Sequence, residues 1–347
     1  MKKILILLLT CLMLSGCFFD LQPATQAPTV PDGDTLTVHY IDVGQADCAL
    51  IACGGKYMII DGGNVEDSSL VVSYLQRQGV EELQAVICSH AHEDHVGGLP
   101  GVLAVFPTQA VYAPTKTYSS NCFDDFLYYT DQQGLEVTIP YPGDQFQLGD
   151  ATVMVLGPVK SYADPNNTSI VLMIDFHGKR FLFTGDMETD AENDMLDYWG
   201  EHFTWSADVL KVGHHGSDTS TSYRFLRAVM PEYGIISVGE GNSYGHPNET
   251  PLSRLEDAGV TTLRTDKLGS ILVSTDGENI TLSWERASQQ PDTPPSEGPQ
   301  QFIGNKNSKT LHLPSCASLP KEENRVIFDD YAAAIAEGYK PCSRCMG

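Results

Sequence analysis

The sequence has little positive charge, few cysteines and no hydrophobic run long enough to cross a bilayer. Its 21 lysines and arginines stand against 45 aspartates and glutamates, a formal net charge of −24 over 347 residues. Because phosphate binding depends on basic patches, this balance argues against a generic nucleic-acid coat protein. Nine scattered cysteines are too few for a disulfide scaffold. No internal repeat at solenoid periods is visible.

What is present indicates a folded chain. Hydrophobic residues make up 41% of the sequence and charged residues 19%, which excludes a wholly disordered protein. The length allows a sizeable core and suggests about two domains.

The first residues have the composition of an export signal. Lys2 and Lys3 precede an apolar stretch, Ile4 to Leu14, that is too short to span a bilayer. The run Leu14-Ser15-Gly16-Cys17 resembles the bacterial lipobox. The resemblance implies cleavage of a signal peptide, residues 1–16, and a lipid on Cys17. An ordinary secretory signal and an uncleaved anchor are the alternatives. We therefore expect an exported protein, lipid-anchored on the outer face of a bacterial membrane.

Two proline-rich stretches divide the remaining chain. Residues 17–35 have few large apolar side chains and predict a flexible tether. Residues 287–300 contain four prolines and predict a domain boundary. The chain therefore divides into a large domain, 36–286, and a small module, 301–347.

Short apolar runs alternate with helical patterns in the large domain, which predicts an α/β (α+β) fold of packed sheets with helices outside. The predicted strands are Leu36–Ile41, Ala49–Ala52, Tyr57–Ile60, Ala85–Cys88, Thr152–Leu156, Ile170–Phe176, Phe181–Thr184, Val209–Val212, Gly234–Val238, Ile271–Ser274 and Ile280–Trp284. The predicted helices are Ser68–Gln78, Glu188–Tyr198, Ser220–Val229 and Pro251–Ala258, with Ser68, Ser220 and Thr250 near their N-caps.

The strongest chemical signal follows the predicted strand Ala85–Cys88. Residues 89–98 read SHAHEDHVGG, with His90, His92, Asp94 and His95 within six positions. So many imidazoles and carboxylates would repel and desolvate one another if merely packed. A bound metal removes that conflict, because neutral imidazole and carboxylate are good ligands for zinc-like ions. A solvated polar loop is the alternative.

This motif resembles that of the metallo-β-lactamase superfamily, and the resemblance covers most of 36–286. Other matching segments are Ile59–Gly63, Phe181–Asp186, Leu210–Ser217 and Tyr244–Pro247. More narrowly, Ile41–Asp47, Asn166–Leu172 and the His-His-Gly-Ser run resemble the extracellular hydrolase domain of the competence protein ComEC and its stand-alone relatives. The fold implied is an αββα sandwich.

The resemblance also implies a site with two divalent ions, zinc or manganese. His90 and His92 would hold the first metal, Asp94 and His95 the second, and Asp186 would bridge them. His246 should join the second metal, and Asp61 should lie beside the site. The family often supplies another histidine where this chain has Asn166–Ser169.

His214 or His215 should fill that vacancy. His214 is favoured, and the other histidine is then available to donate a proton to the leaving group. Asn167 and Ser169 would contact the substrate. Cys88 is interpreted as a buried strand residue, and Cys48, Cys53 and Cys122 as structural. Sequence leaves open a Cys48–Cys53 disulfide.

The implied chemistry is hydrolysis by a hydroxide that bridges the two metals, with Asp94, His214 and His215 as catalytic residues. The first hypothesis is a surface-anchored phosphodiesterase or nuclease that acts on extracellular DNA. Another ester, such as a phosphorylcholine ester on a phosphate-containing envelope polymer, is the second, and lactam hydrolysis is a weaker one. A non-catalytic binding lipoprotein with structural metals is the third. The sequence implies no protein partner.

The small module contains its own ligand pattern. His312 and Cys316 lie about 25 residues before Cys342 and Cys345, a spacing typical of structural zinc. A short chain of this kind needs a metal to supplement its core. The module resembles the metal-binding domain of the Ada DNA-repair protein, with His312 at the place of the first cysteine, so methyl-acceptor chemistry is not carried over. A Cys342–Cys345 disulfide is the alternative.

Overall fold

The computed structural model describes residues 35–292, 302–314, 316, 318–328, 331–342 and 344–345. The predicted signal peptide, the lipidation site at Cys17 and nearly all of the tether lie outside these residues, so they stay predictions. No helix in the described part of the chain is both long and apolar enough to cross a membrane.

Nineteen strands, nine α-helices and four short 3-10 helices are present in the described residues. The strands are β1 Leu36–Tyr40, β2 Ala49–Cys53, β3 Lys56–Ile60, β4 Ala85–Ile87, β5 Val111–Tyr112, β6 Val137–Thr138, β7 Gln145–Leu148, β8 Ala151–Gly157, β9 Val171–Phe176, β10 Lys179–Phe183, β11 Val209–Lys211, β12 Tyr233–Ile236, β13 Thr261–Arg264, β14 Ile271–Thr275, β15 Ile280–Trp284, β16 Phe302–Asn305, β17 Thr310–His312, β18 Arg325–Phe328 and β19 Lys340–Pro341. The α-helices are α1 Ser68–Arg77, α2 Glu93–Val96, α3 Leu99–Val105, α4 Asn121–Gln132, α5 Thr189–Trp199, α6 Tyr223–Val229, α7 Glu249–Asp257, α8 Thr265–Leu268 and α9 Tyr331–Ala336.

Two large sheets form the large domain. The first has the order β15-β14-β1-β2-β3-β4-β5-β6 and the second β13-β12-β11-β10-β9-β8-β7. Each sheet is antiparallel at one end and parallel at the other: β3 to β6 run parallel in the first, and β10 to β13 in the second. Parallel strands need crossover connections, and these supply the outer helices.

The layers follow from where apolar side chains are buried. Val38, Ile51, Ile174 and Phe181 belong to a core shared by the two sheets. Helices α1, α3 and α4 pack on the outer face of the first sheet, and α5, α6 and α7 on that of the second. These layers make the αββα sandwich that the sequence predicts.

Several predicted boundaries need correction. Helix α6 begins at Tyr223, because the buried Glu192 carboxylate accepts hydrogen bonds from the backbone N–H of Thr221 and Ser222 and holds this segment outside the helix. Ser222, not Ser220, caps it. The N-caps of α1 and α7 are Asp67 and Asn248, in place of the predicted Ser68 and Thr250.

The predicted linker also begins later than expected. Residues 287–292 return to the second sheet, where Asp292 pairs with Thr262 and its carboxylate accepts from Lys267 at 2.7 and 2.8 Å. The stretch 293–300 lies outside the described residues.

The small module is built on a four-stranded sheet of order β18-β16-β17-β19. Its core is small, with Phe302, Leu311, Phe328 and Tyr339 among its members. Such a core alone contributes little stability, which fits the sequence-based expectation of a metal.

Candidate metal centre

The predicted site residues lie on loops that leave the carboxyl ends of parallel strands. Asp61 follows β3, the histidine motif follows β4, Asp186 follows β10, and His214 and His215 follow β11. Because parallel strands present these ends at one edge, the two sheets together direct the loops to one place. The first sheet supplies one half of the side chains and the second sheet the other half.

Asp61 organises the first half. Its backbone has a positive φ of 60°, an uncommon conformation for a residue with a side chain. The carboxylate accepts hydrogen bonds from Ser89 N and Ser89 Oγ, both at 2.7 Å, and from His95 Nδ1 at 2.8 Å. With Nδ1 thus engaged, His95 has its Nε2 available for another partner.

Four side chains converge from the two halves: Asp94, His95, Asp186 and His215, each with one ligand atom within 4.8 Å of the others. His95 Nε2 lies 3.3 Å from Asp186 Oδ1, and His215 Nε2 lies 3.3 Å from Asp94 Oδ2. Both of these Nε2 atoms and Asp186 Oδ1 are buried and lack a hydrogen-bond partner. Buried polar atoms are seldom unpartnered in a native protein, so their convergence indicates a missing ion.

His90 and His92 lie beside this cluster. His90 is fully buried, and its Nε2 is 3.0 Å from His92 Nδ1 and 3.9 Å from Asp186 Oδ2. His214 Nε2 approaches the same Asp186 oxygen at 3.7 Å. One carboxylate therefore lies between the His90 side and the His95 side of the site.

The adjacent His214 and His215 point in different directions. Both have positive φ values, 50° and 52°, so this turn separates the two rings. His215 is buried in the four-residue cluster, while His214 is partly exposed and also contacts Glu188 Oε1 at 3.4 Å. This differs from the sequence interpretation, which left His215 free to donate a proton.

His246 was expected to join the second metal, but it is not part of the four-residue cluster. Its half-buried ring lies 5.6 Å from that of His214 and 6.5 Å from that of His215, between ring centres. The Nδ1 atom is buried and without a hydrogen-bond partner. Exposed Tyr244 stacks on the ring at 5.8 Å.

Electrostatics reflect the crowded carboxylates. Burial would lower the pKa of His215, but Asp186 and Asp47 outweigh it and raise the pKa to about 10. Burial would raise the pKa of Asp94, but His95 and His215 lower it to about 2. Asp94 therefore stays ionised near neutral pH, and the carboxylates around His215 stabilise its protonated form. The same carboxylates would stabilise a bound cation.

A divalent cation fits this donor set. Imidazole nitrogens and carboxylate oxygens are suitable ligands for zinc and manganese, and Asp61 supplies the outer hydrogen bond that orients His95. Chelation would use the unpartnered Nε2 atoms and would neutralise the facing carboxylates.

Asn167 and Ser169, predicted to contact substrate, have contacts within the protein. Ser169 Oγ accepts from Asp186 N at 3.0 Å and donates to Asn166 O at 2.6 Å. Asn167 Oδ1 accepts from Glu188 N at 3.0 Å. Both side chains thus brace the loop that carries Asp186, and substrate contact stays a prediction.

The small module brings its four predicted ligands together. One ligand atom each of His312, Cys316, Cys342 and Cys345 lies within 4.8 Å of the others. Burial would raise the pKa of the Cys316 thiol, but hydrogen bonds from Ser318 and His312 lower it to about 6, which favours the thiolate that binds zinc. These cysteines are free thiols, as are Cys48, Cys53, Cys88 and Cys122.

Sequence reasoning missed two residues at the site. Asp47 lies in a segment quoted for the ComEC resemblance and Lys211 in one quoted for the metallo-β-lactamase resemblance, yet neither received a role. Both are buried, and they form an ion pair of 2.8 Å behind His215. A lysine inside the predicted buried strand Val209–Val212, three residues before His214, was the available signal.

The two parts of the chain each match a known family. Residues 41–240 match the family model of the metallo-beta-lactamase superfamily, and residues 291–346 match that of the metal binding domain of Ada. A solved metallo-beta-lactamase fold protein, YhfI from Bacillus subtilis, is 14% identical with a TM-score of 0.49, and the alignment covers 70% of this chain and all of that one.

Among curated proteins, ComE operon protein 3 of Bacillus subtilis is 30% identical over 253 residues, 67% of this chain and 32% of the relative. Competence protein ComA of Neisseria gonorrhoeae is 29% identical over 70% of this chain and 32% of its own length. Recombination protein 2 of Haemophilus influenzae is 33% identical over 64% of this chain and 26% of its own. This chain thus spans about a third or less of these relatives. With its family model matched over more than half of the sequence, the chain belongs to the metallo-β-lactamase superfamily and carries an Ada-like zinc-binding module.

Proposed function

We propose that this protein is a two-metal hydrolase that cleaves phosphodiesters. The observation that carries the proposal is the convergence of unpartnered, buried atoms from both sheets: Nε2 of His95, Nε2 of His215 and Oδ1 of Asp186. A purely structural metal would not need histidines at an open edge, yet His92, His214 and His246 are all partly accessible there.

Two ligand groups share Asp186 in this proposal. His90, His92 and His214 would hold one ion, because His90 lies beside His92, and His90 and His214 both approach Asp186 from outside the four-residue cluster. Asp94, His95 and His215 hold the other. The assignment keeps His214 as a ligand of the first metal and gives His215 the place that sequence reserved for His246.

The bound ions supply an activated water and stabilise negative charge that develops during hydrolysis. Asp61 holds His95 in one orientation, and the bonds of Ser169 to the Asp186 loop limit movement of the shared carboxylate. The half-buried His246 ring lies at the open edge, 5.6 Å from the ring of His214. In this proposal it donates a proton to the departing oxygen.

DNA is the phosphodiester that we propose as substrate. Support comes from two of the relatives, which are named for competence and for recombination. The acidic composition means that cations bound in the site, more than surface lysines, would attract the phosphate. The small module has six basic and five acidic residues and is the less acidic part of the chain.

The test uses the full chain, purified in detergent without chelator. Metals per chain are counted, and cleavage of bis-p-nitrophenyl phosphate and of linear DNA is measured for wild type, Asp186→Ala and His246→Ala. We expect about three metals in wild type, and loss of both metal and cleavage in Asp186→Ala.

His246→Ala should keep its metals. It should cleave the p-nitrophenyl ester nearly normally, because that leaving group needs no proton, but should cleave DNA about 100-fold more slowly. A metal lost in His246→Ala would show that His246 is a ligand instead. Three metals without diester cleavage would contradict the proposed function and favour another ester, and p-nitrophenyl phosphorylcholine tests that.

A further inference from the structure

Lys211 is the only buried lysine or arginine among the residues that the structure describes, with 3% of its surface exposed. Burying an ammonium is costly unless it is paired and hydrogen-bonded. Lys211 Nζ lies 2.8 Å from Asp47 Oδ2 and donates to Val212 O at 2.9 Å. The pair sits directly behind the candidate metal centre, so its role concerns that centre.

Asp47 links this lysine to a metal-ligand candidate. Its other oxygen, Oδ1, is 3.2 Å from His215 Nδ1, and the same Nδ1 is 2.9 Å from Ser237 O. Two acceptors facing Nδ1 require that this nitrogen carry the ring hydrogen. Nε2 of His215, which faces Asp94 and Asp186, is then the ring nitrogen left to bind a metal.

The backbone of Asp47 ties the same region together. Asp47 N donates to Asp94 O at 3.0 Å, and Asp47 O accepts from Gly63 N at 2.8 Å. Asp47 therefore contacts the loop after β3, the loop after β4 and, through its side chain, the loop after β11.

A second cluster behind the site explains why a lysine is needed. Ligand atoms of Asp47, Asp61 and His95 also lie within 4.8 Å of one another. An ion captured there would draw His95 away from Asp186. The Lys211 ammonium already occupies Asp47 Oδ2, and Asp61 already accepts three hydrogen bonds. The Lys211 ammonium thus occupies the position that a metal ion bound to Asp47 would take.

We propose that Lys211 and Asp47 are positioning residues for the metal centre. Asp47 fixes His215 with Nε2 directed at Asp94 and Asp186, and Lys211 keeps Asp47 from acting as a metal ligand itself. The inference rests on the metal centre of the proposed function but not on its substrate.

The test measures metal affinity rather than hydrolysis. Zinc binding to the full chain is followed at free concentrations set by a chelating buffer, and visible spectra are recorded after cobalt substitution. The variants are Lys211→Met and Asp47→Asn. The matched control is Lys179→Met, which removes a lysine–aspartate pair, to Asp208 at 3.3 Å, from the neighbouring strand β10.

We expect wild type and Lys179→Met to bind alike. Lys211→Met and Asp47→Asn should each weaken one hydrolase-domain ion by about 10- to 100-fold, the usual effect of removing an outer partner of a ligand. The cobalt bands of that ion should also change, because its ligand geometry changes. Unaltered affinity and unaltered cobalt spectra in both variants would overturn the inference.

Circular dichroism shows whether Lys211→Met folds. If it does not, the zinc affinity and cobalt spectrum of Asp47→Asn, which keeps the side-chain shape, test the inference. A wild-type chain that binds metal only in the small module contradicts the proposed function together with this inference. Wild-type binding of about three ions with no diester cleavage contradicts the proposed function but leaves this inference standing.

Discussion

At the scale of single residues, burial decides which histidines serve the metal centre and which serve the core. Histidine is a common metal ligand, yet His39 lies on β1, and its Nδ1 is 3.0 Å from Tyr74 Oη. Its Nε2 is buried without a partner, and burial lowers its pKa to about 4. His39 is therefore a neutral core residue, and it makes stability depend on acidity.

The sign of that dependence follows from proton binding. Below the unfolded pKa of about 6.5, the unfolded chain takes up a proton at His39 that the folded chain refuses until about pH 4. Stability from this residue is complete above pH 6.5 and is lost as pH falls. Between pH 7 and pH 5 the loss is about 2 kcal/mol.

The free energy of unfolding of His39→Gln should fall less than that of wild type between pH 7 and pH 5. We expect the difference to be about 2 kcal/mol. Urea denaturation at pH 7 and pH 5, with zinc present, measures it. The control is His202→Gln, at an exposed position, which should retain the wild-type slope. Equal slopes for wild type and His39→Gln would show that His39 is not the group responsible.

At the scale of elements, the loops after β3 and β4 interlock through glycine. Gly98 N donates to Gly63 O, and Gly62 N donates to His95 O at 2.7 Å. A Cβ added at Gly98 would lie 2.0 Å from Gly62 O, a backbone atom that cannot turn aside. The absence of a side chain here brings Asp61 and His95 together.

Gly98→Ala should therefore separate these loops. We expect a loss of about 1–3 kcal/mol or more in stability, and weaker binding of the metal that uses His95. Thermal unfolding and metal counting measure the two effects. Gly157→Ala is the control, because the nearest atoms to its added Cβ lie at 3.4 Å, in ordinary contact. Similar losses in both variants would contradict the interlock.

The elements were predictable where hydrophobic runs are strong. All eleven predicted strands and all four predicted helices exist, with shifts of a few residues at their ends. Strands β5, β6, β7 and β13 and helices α2, α3, α4 and α8 of the large domain were not predicted. Helix α4, the longest of these, was missed because its Thr, Tyr and Asp residues favour helix only weakly. Its buried face, Phe123, Phe126 and Thr130, becomes apparent once the first sheet is present to cover it.

At the scale of the whole molecule, the chain has candidate metal ligands in both the large domain and the small module. The hydrolase-like domain closes its site between two large sheets, whereas the small module gathers four ligands within one short sheet and its loops. Cysteine-rich sites prefer zinc strongly, and histidine–carboxylate sites accept several ions. The two parts should therefore lose their metals independently.

Cys342→Ser should lower the metal content from about three to about two per chain and leave diester cleavage within about twofold of wild type. A mild chelator should do the opposite, removing hydrolase-domain metal and cleavage first. Metal analysis and the bis-p-nitrophenyl phosphate assay follow both. Loss of cleavage in Cys342→Ser would show that the module supports the hydrolase domain directly.

The site was only partly predictable from sequence, because its residues come from loops of both sheets. The metal-ligand candidates in His90–His95 can be recognised from their spacing alone, because they share one loop. The roles of His214, His215 and His246 depend on two positive φ angles and on how the second sheet meets the first. The pairing of Asp47 with Lys211 joins residues far apart in the chain, and no local pattern records it.

Because the ligands are divided between the two sheets, their order of synthesis has a consequence. The histidines of the first loop leave the ribosome long before Asp186 and His215 exist, so no nascent fragment holds a complete site. The complete ligand set comes together only when the sandwich closes. We therefore expect the free ions in the compartment where folding finishes to influence which metal this protein carries.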